Sequence, residues 1–394
     1  MSDYSTEGFR TPGHLAERLF TLFYLHARRT RNLKIKSLQT VVVLNTEYHE
    51  QQEVLPAFEK NNVSIALASN DYFVPYMSTL LQSVLEHSNQ NVNYDILVMT
   101  QDISVYNRTM LKKMCSGYSN VSIRFLDPTE FIEGYEFFVR GHFSMETYYR
   151  LVLPELLPEY DKILYLDSDM VAQEDVAKLY QENIEGYLIG ACHDADTAGL
   201  YNGFEPNKKE YTDHMLKLKE PYQYFQAGTL LINLKEFRKR YTIEEILKYA
   251  VSMKFQLLDQ DILNKLCEGS VKFVDMSWNV MVDYGRIRQS QIIALAPKWL
   301  NDLYKESRKE PKIIHYAGPE KPWIHPEMDF GIEFWNYAKK TPYYEYMIAR
   351  MIENRTTDVY RKYHRPTIRS GIQCARDHGV AYTVKYGIKK LKRR

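Results

Sequence analysis

Cysteine is scarce in this chain of 394 residues, and long apolar runs are missing. The four cysteines stand far apart without a CxxC pair, so neither a structural zinc site nor a disulfide framework is indicated, and a reducing compartment fits better. No apolar run approaches the roughly 18 residues of a membrane-spanning helix. The first residues also lack the charged start and apolar stretch of a signal peptide. We therefore expect a cytoplasmic protein.

There is almost no excess of charge of either sign, because 51 basic residues stand against 50 acidic ones. This balance gives no reason to expect a nucleic-acid partner. Basic residues do cluster at the C-terminus, where six of the last ten are Lys or Arg. This basic tail predicts peripheral contact with the cytoplasmic face of an anionic membrane, and the alternative is a solvated tail.

Strand-like and helix-like segments alternate from residue 63 onwards. Apolar stretches at 63–68, 94–99 and 121–125 predict strands, and amphipathic segments at 76–86 and 105–115 predict helices between them. This alternation favours an α/β protein whose mostly parallel sheet is covered by helices. The pattern continues with predicted strands at 162–166, 187–192 and 229–232, and with predicted helices at 145–156, 243–253 and 260–266.

The chain is expected to have three parts. An extension is followed by an α/β domain and then by a helical C-terminal region with the basic tail. The predicted bounds are 1–60, 61–335 and 336–394.

Two aspartates one residue apart, Asp167 and Asp169, follow the apolar stretch at 162–166. Ligands of open α/β sheets bind at the carboxyl ends of strands. Two carboxylates this close repel each other unless a cation lies between them, and hard divalent cations keep positions open for phosphate oxygens. The tripeptide alone therefore predicts a metal site, and the alternative is a solvated acidic turn.

Six segments in order resemble glycosyltransferase family 8, which includes retaining lipopolysaccharide galactosyl- and glucosyltransferases. The resemblance implies an α/β GT-A (Rossmann-like) nucleotide-sugar-binding fold with a mostly parallel central sheet, here with helical N- and C-terminal extensions. The segments are ASNDYFVPY at 68–76, TYYR at 147–150 leading to YLDSD at 165–169, GACHDAD at 190–196, QAGTLLINL at 226–234, LLDQDILN at 257–264 and IHYAGPEKPW at 314–323.

The resemblance implies a metal site with a covering loop. Asp167 and Asp169 match the metal ligands of the family, and His315 matches the histidine that completes them. An imidazole beside two carboxylates suits Mn²⁺ better than Ca²⁺, and Mg²⁺ is the alternative ion. Gly318 and Lys321 match the loop over the diphosphate, where glycine lets the backbone approach and lysine supplies positive charge.

The resemblance also implies which residues surround the donor. Arg150 matches an arginine that binds sugar and phosphate, Asp194 an acid that shapes the sugar site, and Asp259 an acid that contacts sugar hydroxyls. Gln260 matches the glutamine whose oxygen lies on the acceptor-side face of the anomeric carbon. Further positions of the matching motifs are expected to bind the donor, namely Ala68, Asn70, Asp71, Tyr72, Ser168, Gln226 and Gly228.

The chain departs from the family pattern at two places. It has Asn70-Asp71-Tyr72 where Asp-Asp-Asn is common, and the first of these positions normally contacts the base. Asn70 can still donate and accept hydrogen bonds, while Tyr72 could stack on the base or block it. Gln226 stands where asparagine is usual and is one methylene longer, so the shape of the sugar pocket is expected to differ.

Together these features predict a retaining, Mn²⁺-dependent transferase. It is expected to move glucose or galactose from a UDP-sugar to a glycan or a lipid-linked acceptor. One alternative is a non-catalytic nucleotide-sugar-binding protein on the same fold. Another is a nucleotidyltransferase, which a glycine-rich phosphate loop after the first strand would favour, but residues 68–71 contain no glycine.

Overall fold

The computed structural model describes residues 54–139 and 144–363. Most of the predicted N-terminal extension and the whole basic tail lie outside the described residues. Among the helices of the described ranges, none combines the length and the apolar character that crossing a membrane requires.

The strands of the described residues form two sheets. They are β1 (Asn62–Ala68), β2 (Asn93–Met99), β3 (Val121–Leu126), β4 (Ile163–Leu166), β5 (Met170–Ala172), β6 (Ile189–His193), β7 (Phe225–Ile232), β8 (Val271–Phe273), β9 (Val280–Met281) and β10 (Ile313–His315). The central sheet has seven strands in the order β3-β2-β1-β4-β7-β6-β8, and a three-stranded sheet has the order β5-β10-β9. In the central sheet as described, β7 runs antiparallel to β4 and β6, and the other pairs are parallel.

Helices connect and cover these strands. The α-helices are α1 (Val74–His87), α2 (Val105–Cys115), α3 (Thr129–Ile132), α4 (Leu153–Leu156), α5 (Ala177–Tyr180), α6 (Ala195–Gly199), α7 (Lys208–Glu210), α8 (Leu234–Arg240), α9 (Ile243–Ala250), α10 (Leu258–Leu266), α11 (Lys298–Ser307), α12 (Gly331–Ala338) and α13 (Tyr344–Tyr363). The 3₁₀ segments are Met145–Val152, Pro221–Gln223, Met276–Asn279, Tyr284–Arg286 and Ile293–Leu295, and the π-helical segments are Leu200–Phe204, Tyr211–Leu216 and Arg288–Ile292.

The strand β1 illustrates why the central sheet was visible in the sequence. Its side chains alternate between two faces, so that Val63, Ile65 and Leu67 join one hydrophobic cluster while Ala66 and Ala68 join another. A strand that is buried on both faces has a continuous apolar sequence. The predicted α/β class with a mostly parallel sheet is confirmed.

The helix predicted at 145–156 is present, but it is not one continuous α-helix. The segment is a 3₁₀ helix from Met145 to Val152, followed by the short α4. Pro154 contributes to the break between the two parts, because its nitrogen has no hydrogen to donate to the carbonyl of Arg150 one α-helical turn earlier. The 3₁₀ helix carries both Thr147 and Arg150, two residues that reach the candidate site.

The predicted three-part division stays a prediction, although two observations bear on its bounds. The described residues before β1 contact the sheet, since the backbone N–H of Ala57 donates to Asp95 (3.1 Å) and the carbonyl of Leu55 accepts from Arg124 (2.8 Å). The helix α12 spans the expected boundary between residues 335 and 336.

Candidate active site

The Asp-Ser-Asp segment lies where the chain passes from one sheet to the other. β4 ends directly before this segment and β5 begins directly after it. The backbone N–H of Asp167 donates to the carbonyl of Gly228 on β7 (2.8 Å), and the N–H of Tyr316 donates to the carbonyl of Asp169 (3.0 Å). The segment is thus fixed at the carboxyl end of β4, where open α/β sheets bind ligands.

Asp167, Asp169 and His315 form a group whose side chains could share one cation. β10 pairs antiparallel with β5 so that His315 stands opposite Met170, which brings it beside the two carboxylates. The ligand atoms lie within 4.8 Å of one another, and Nε2 of His315 is 3.3 Å from Oδ1 of Asp169. Two carboxylates and an imidazole suit a divalent transition metal such as Mn²⁺.

The ring of His315 is buried and held on two sides. Its Nδ1 lies 3.0 Å from Oδ1 of Asn279, which leaves Nε2 on the side of the carboxylates. On another side, a Cβ atom at position 228 would lie 2.4 Å from Cε1 of His315 and 2.7 Å from Cε of Met170. Gly228 is therefore needed for the ring to occupy this position.

The loop after β10 places a cation against the group. Nζ of Lys321 donates to Oδ2 of Asp169 (2.5 Å) and to the carbonyl of Tyr316 (2.8 Å). Burial alone would raise the pKa of Asp169, but the charge of Lys321 outweighs it and holds this pKa well below its usual range. Gly318 has a φ of 112°, a conformation that favours glycine, and so lets the loop turn back over the site.

Arg150 lies behind the carboxylates and is buried. It donates to Oδ1 of Asp167 (2.7 Å), to Oδ2 of Asp259 (3.0 Å) and to the carbonyl of Ala227 (2.5 Å), and its guanidinium stands 4.1 Å over the ring of Tyr165. Burial opposes the charge, but the two carboxylates outweigh it and raise the pKa of Arg150 above its ordinary value. Arg150 therefore orients Asp167, and its expected contact with sugar and phosphate stays a prediction.

Asp259, in the first turn of α10, is also engaged by protein donors. Its Oδ1 accepts from the hydroxyl of Thr147 in a short hydrogen bond, and its Oδ2 pairs with Arg150. Burial raises the pKa of Asp259 to about 6, although the charge of Arg150 opposes the shift. A carboxylate with this pKa titrates close to neutral pH.

Gln260 joins α10 to the end of β6. Its Oε1 accepts from the backbone N–H of Ala227 (2.8 Å), and its Nε2 donates to Oδ2 of Asp194 (3.0 Å). Asp194 also accepts from the N–H and the hydroxyl of Thr197 (2.8 and 2.9 Å), and burial, followed by the nearby charge of Asp196, raises its pKa. The structure thus brings Asp194 and Gln260 together in one hydrogen-bonded pair.

The loop after β1 adjoins the metal segment. The hydroxyl of Ser168 donates to the carbonyl of Ala68 (2.7 Å), which ties the ends of β4 and β1 together. Oδ1 of Asn70 accepts from the N–H of Phe73 (3.1 Å), an arrangement that stabilises the turn into α1. The predicted base contact of Asn70 would have to use its NH₂ group or displace this bond.

Asp71 and Tyr72 face different neighbours. Asp71 accepts from the N–H of Ser104 (2.8 Å) and from the side chain of Asn107 (2.7 Å). Its carboxylate therefore binds the start of α2. Tyr72 is 60% exposed, and the guanidinium of Arg350 from α13 stands 4.0 Å over its ring. Whether either residue binds the base stays a prediction.

Two further buried residues contact the site but belong to none of the six matching segments. Asn279 contacts His315, as described above. Arg288 donates to Asp196 (3.2 Å) and to the carbonyl of Ala317 (3.0 Å), and so joins the acidic loop after β6 to the loop that carries Gly318. No motif marks either residue, and only the Trp-Asn pair before β9 would have drawn attention to Asn279.

A mostly parallel sheet with this carboxylate pair at the end of β4 defines a GT-A protein. Residues 64–326 match the model of glycosyl transferase family 8. The chain belongs to glycosyl transferase family 8, and it is a glycosyltransferase; the resemblance stated from the motifs is confirmed.

Similar proteins of known structure or activity agree with this class. The structure is similar to that of the bifunctional glycosyltransferase WbbM, with a TM-score of 0.70 and 31% identity over 89% of this chain and 62% of that one. It is also similar to the galactosyltransferase LgtC solved with donor and acceptor sugar analogs, with a TM-score of 0.56 and 25% identity over 71% of this chain and 96% of that one. A lipopolysaccharide 1,2-glucosyltransferase of Escherichia coli K12 is 25% identical over 194 residues, 48% of this chain and 53% of that enzyme.

Proposed function

We propose that this chain transfers glucose or galactose from a UDP-sugar to a glycan or a lipid-linked acceptor, with retained anomeric configuration and with Mn²⁺, or alternatively Mg²⁺, as its metal. The observation that carries the proposal is the group of Asp167, Asp169 and His315 at the end of β4, with ligand atoms within 4.8 Å of one another. Oxygen ligands with one imidazole suit such an ion and leave positions for phosphate oxygens.

The similar proteins support this choice of substrates. One of them is named as a lipopolysaccharide glucosyltransferase, and another is a galactosyltransferase that was solved with donor and acceptor sugar analogs. Glucose and galactose are therefore both candidates for the donor sugar. A lipopolysaccharide-type glycan is a candidate for the acceptor.

The residues around the group suit a diphosphate leaving group. A bound divalent cation would stabilise the negative charge that develops when the glycosidic bond breaks. Lys321 adds a positive charge from the covering loop, and Gly318 lets the backbone of that loop approach the phosphates. Arg150 keeps Asp167 oriented. The loop after β1, with Ala68, Asn70, Asp71, Tyr72 and Ser168, is proposed to bind the nucleotide.

Retention is proposed to follow a front-face route. Asp194, Asp259 and Gln260 are proposed to line the sugar, yet an amide is a poor nucleophile and both carboxylates already accept hydrogen bonds from protein donors. The acceptor hydroxyl would attack the anomeric carbon on the face that the diphosphate leaves, and a phosphate oxygen would take its proton. A glycosyl group trapped covalently on Asp194 or Asp259 would contradict this route.

The proposed reaction is tested with a panel of UDP- and GDP-sugars. Released nucleotide is measured with Mn²⁺, with Mg²⁺ and with a chelator. We expect release from UDP-glucose or UDP-galactose that requires the metal. Asp169→Ala should abolish this release, and circular dichroism checks that the variant is folded. Full activity in chelator would refute the metal dependence.

The basic tail lies outside the described residues, and its proposed contact with membranes has its own test. Deleting residues 389–394 removes Lys389, Lys390, Lys392, Arg393 and Arg394, each of which is expected to contribute about 1 kcal/mol near an anionic surface. We expect the truncated chain to cosediment less with anionic vesicles. Equal cosedimentation of the truncated and full chains would contradict the proposal.

A further inference from the structure

Three buried polar side chains connect β7 to the proposed metal ligand. Gln226 on β7, Asn279 before β9 and His315 on β10 are 8%, 3% and 2% exposed. Nδ2 of Asn279 donates to Oε1 of Gln226 (2.6 Å), and Oδ1 of Asn279 lies 3.0 Å from Nδ1 of His315. Because all three are buried, these polar atoms depend on one another rather than on water.

The direction of these hydrogen bonds is set by one backbone N–H. The N–H of Gly228 points at Oε1 of Gln226 (2.5 Å), and a backbone N–H can only donate. The receiving atom of Gln226 is therefore its oxygen, so the facing group of Asn279 is its NH₂, which also only donates. The other end of Asn279 is then its oxygen, and Nδ1 of His315 carries the proton that this oxygen accepts.

This arrangement leaves the lone pair of a neutral His315 on Nε2, on the side of the carboxylates. Nε2 lies 3.3 Å from Oδ1 of Asp169 and 3.7 Å from Oδ2 of Asp167. An acceptor nitrogen that faces carboxylate oxygens is stabilised by a cation between them. Metal-bound histidines are typically fixed in this way, by a hydrogen bond from the other ring nitrogen.

We infer that Gln226 and Asn279 are positioning residues that hold His315 in the Nδ1–H tautomer with Nε2 aimed at the metal position. The inference rests on the proposed metal-dependent function. It gives Gln226 a different role from the sugar contact that the resemblance implies, because its Oε1 already accepts two hydrogen bonds inside the protein. The longer side chain of glutamine lets this oxygen fold back to the N–H of Gly228 and still reach Asn279.

Binding of Mn²⁺ without nucleotide tests the inference independently of activity. Affinity is measured by calorimetry and by the electron paramagnetic resonance signal of free Mn²⁺. Gln226→Met and Asn279→Ala each remove one link, and we expect each to weaken Mn²⁺ binding about 10- to 100-fold. Gln226→Glu keeps an oxygen that can accept from both Gly228 and Asn279, so we expect it to bind Mn²⁺ nearly as tightly as the wild type.

Asn233→Ala provides a matched control. Asn233 follows the other end of β7, where its side chain accepts from the N–H of Glu236 (3.1 Å), so its loss should leave Mn²⁺ affinity unchanged. Wild-type affinity in both Gln226→Met and Asn279→Ala would overturn the inference. A wild-type chain that binds no Mn²⁺ would instead overturn the proposed function.

The tautomer of His315 can be measured in the wild-type chain, so this test does not depend on whether the Gln226 and Asn279 variants fold. The chain is labelled with ¹⁵N in its histidine rings and studied by NMR with saturating Mg²⁺, a diamagnetic divalent cation, at a pH where free histidine is neutral. The signals of His315 are identified by their absence in His315→Gln. We expect the proton on Nδ1; a proton on Nε2, or a rapid exchange between both tautomers, would overturn the inference.

Discussion

At the scale of single residues, Gly228 leaves the space that the ring of His315 occupies. It lies on β7 beside the metal segment, and its carbonyl accepts from the N–H of Asp167. Its own N–H donates to Gln226. One residue without a side chain therefore supports both the carboxylate segment and the histidine of the candidate site.

Gly228→Ala tests this packing. The new Cβ would stand 2.4 Å from Cε1 of His315, so the ring must move away from the carboxylates. We expect Mn²⁺ binding to weaken at least tenfold and the free energy of unfolding to fall by about 1–3 kcal/mol, as in other overpacked cores. Gly117→Ala is the control, since a Cβ there meets nothing within 4 Å. Equal Mn²⁺ affinity of Gly228→Ala and the wild type would contradict the packing argument.

Asp259 makes stability depend on pH. Burial raises its folded-state pKa to about 6, with Arg150 opposing the shift, whereas an unfolded aspartate titrates near 3.9. Its contribution to stability is therefore full below about pH 4 and is lost as the pH rises through 6. The asparagine of Asp259→Asn cannot ionise, so the free energy of unfolding of this variant should not show this loss. We expect its advantage over the wild type to grow by on the order of 2–3 kcal/mol from pH 4 to pH 7, measured by urea unfolding in chelator.

The pH prediction has an internal control. Thr147→Val removes a hydrogen bond to Asp259 but leaves its carboxylate free to titrate, so the pH dependence should persist in this variant. If the free energies of unfolding of the wild type and Asp259→Asn differ by the same amount at pH 4 and at pH 7, Asp259 does not titrate in this range.

At the scale of elements, a buried lysine fastens the irregular segment between β6 and β7 to α10. Lys208 on α7 is 1% exposed, with Nζ 4.0 Å from Oδ1 of Asp261 and 3.5 Å from Oε1 of Gln256. Asp261 also accepts from the hydroxyls of Tyr211 and Tyr224 (2.7 Å each). Since α10 also carries two of the proposed sugar-site residues, this contact ties their position to the segment.

A double-mutant cycle measures the coupling across this contact. Lys208→Met leaves Asp261 buried without its lysine, and we expect the free energy of unfolding to fall by roughly 3 kcal/mol. Adding Asp261→Asn removes the unpaired charge and should restore part of that loss. Additive effects of the two substitutions in urea unfolding would mean that the two charges are not coupled.

At the scale of the whole molecule, the candidate site joins segments that are far apart in the chain. The carboxylates lie between β4 and β5, Gly228 lies on β7, and His315 lies on β10. A ligand that bridges these segments binds the folded chain and not the unfolded one. Its binding must therefore stabilise the fold as a whole.

Thermal unfolding with Mn²⁺ tests this linkage. At a Mn²⁺ concentration of 100 times the dissociation constant, we expect about 2.7 kcal/mol of added stability and a matching rise in the melting temperature. Asp169→Asn should abolish the rise because it removes a proposed ligand. Asp302→Asn, at an exposed position of α11, should keep it. An equal rise in Asp169→Asn would place the bound Mn²⁺ elsewhere.

Much of the central sheet could be predicted because its signals are local. β1, β2 and β3 are apolar runs buried on the sheet, and α1 and α2 show helical periodicity, so their bounds agree with the sequence to within about two residues. Short strands gave no such signal. β9 and β10 have two and three residues, which is too few for any periodicity to appear.

The sequence by itself determined the α/β alternation, the family and the residues that match its motifs, because these depend on residue type and order along the chain. Only the tertiary structure decided which of them meet. The pairing of β10 with β5 carries His315 to Asp169, and the bonds from Gln226 through Asn279 set the direction of its ring. Such contacts depend on the spatial register of distant strands and on the space left by Gly228, and neither is encoded in local spacing.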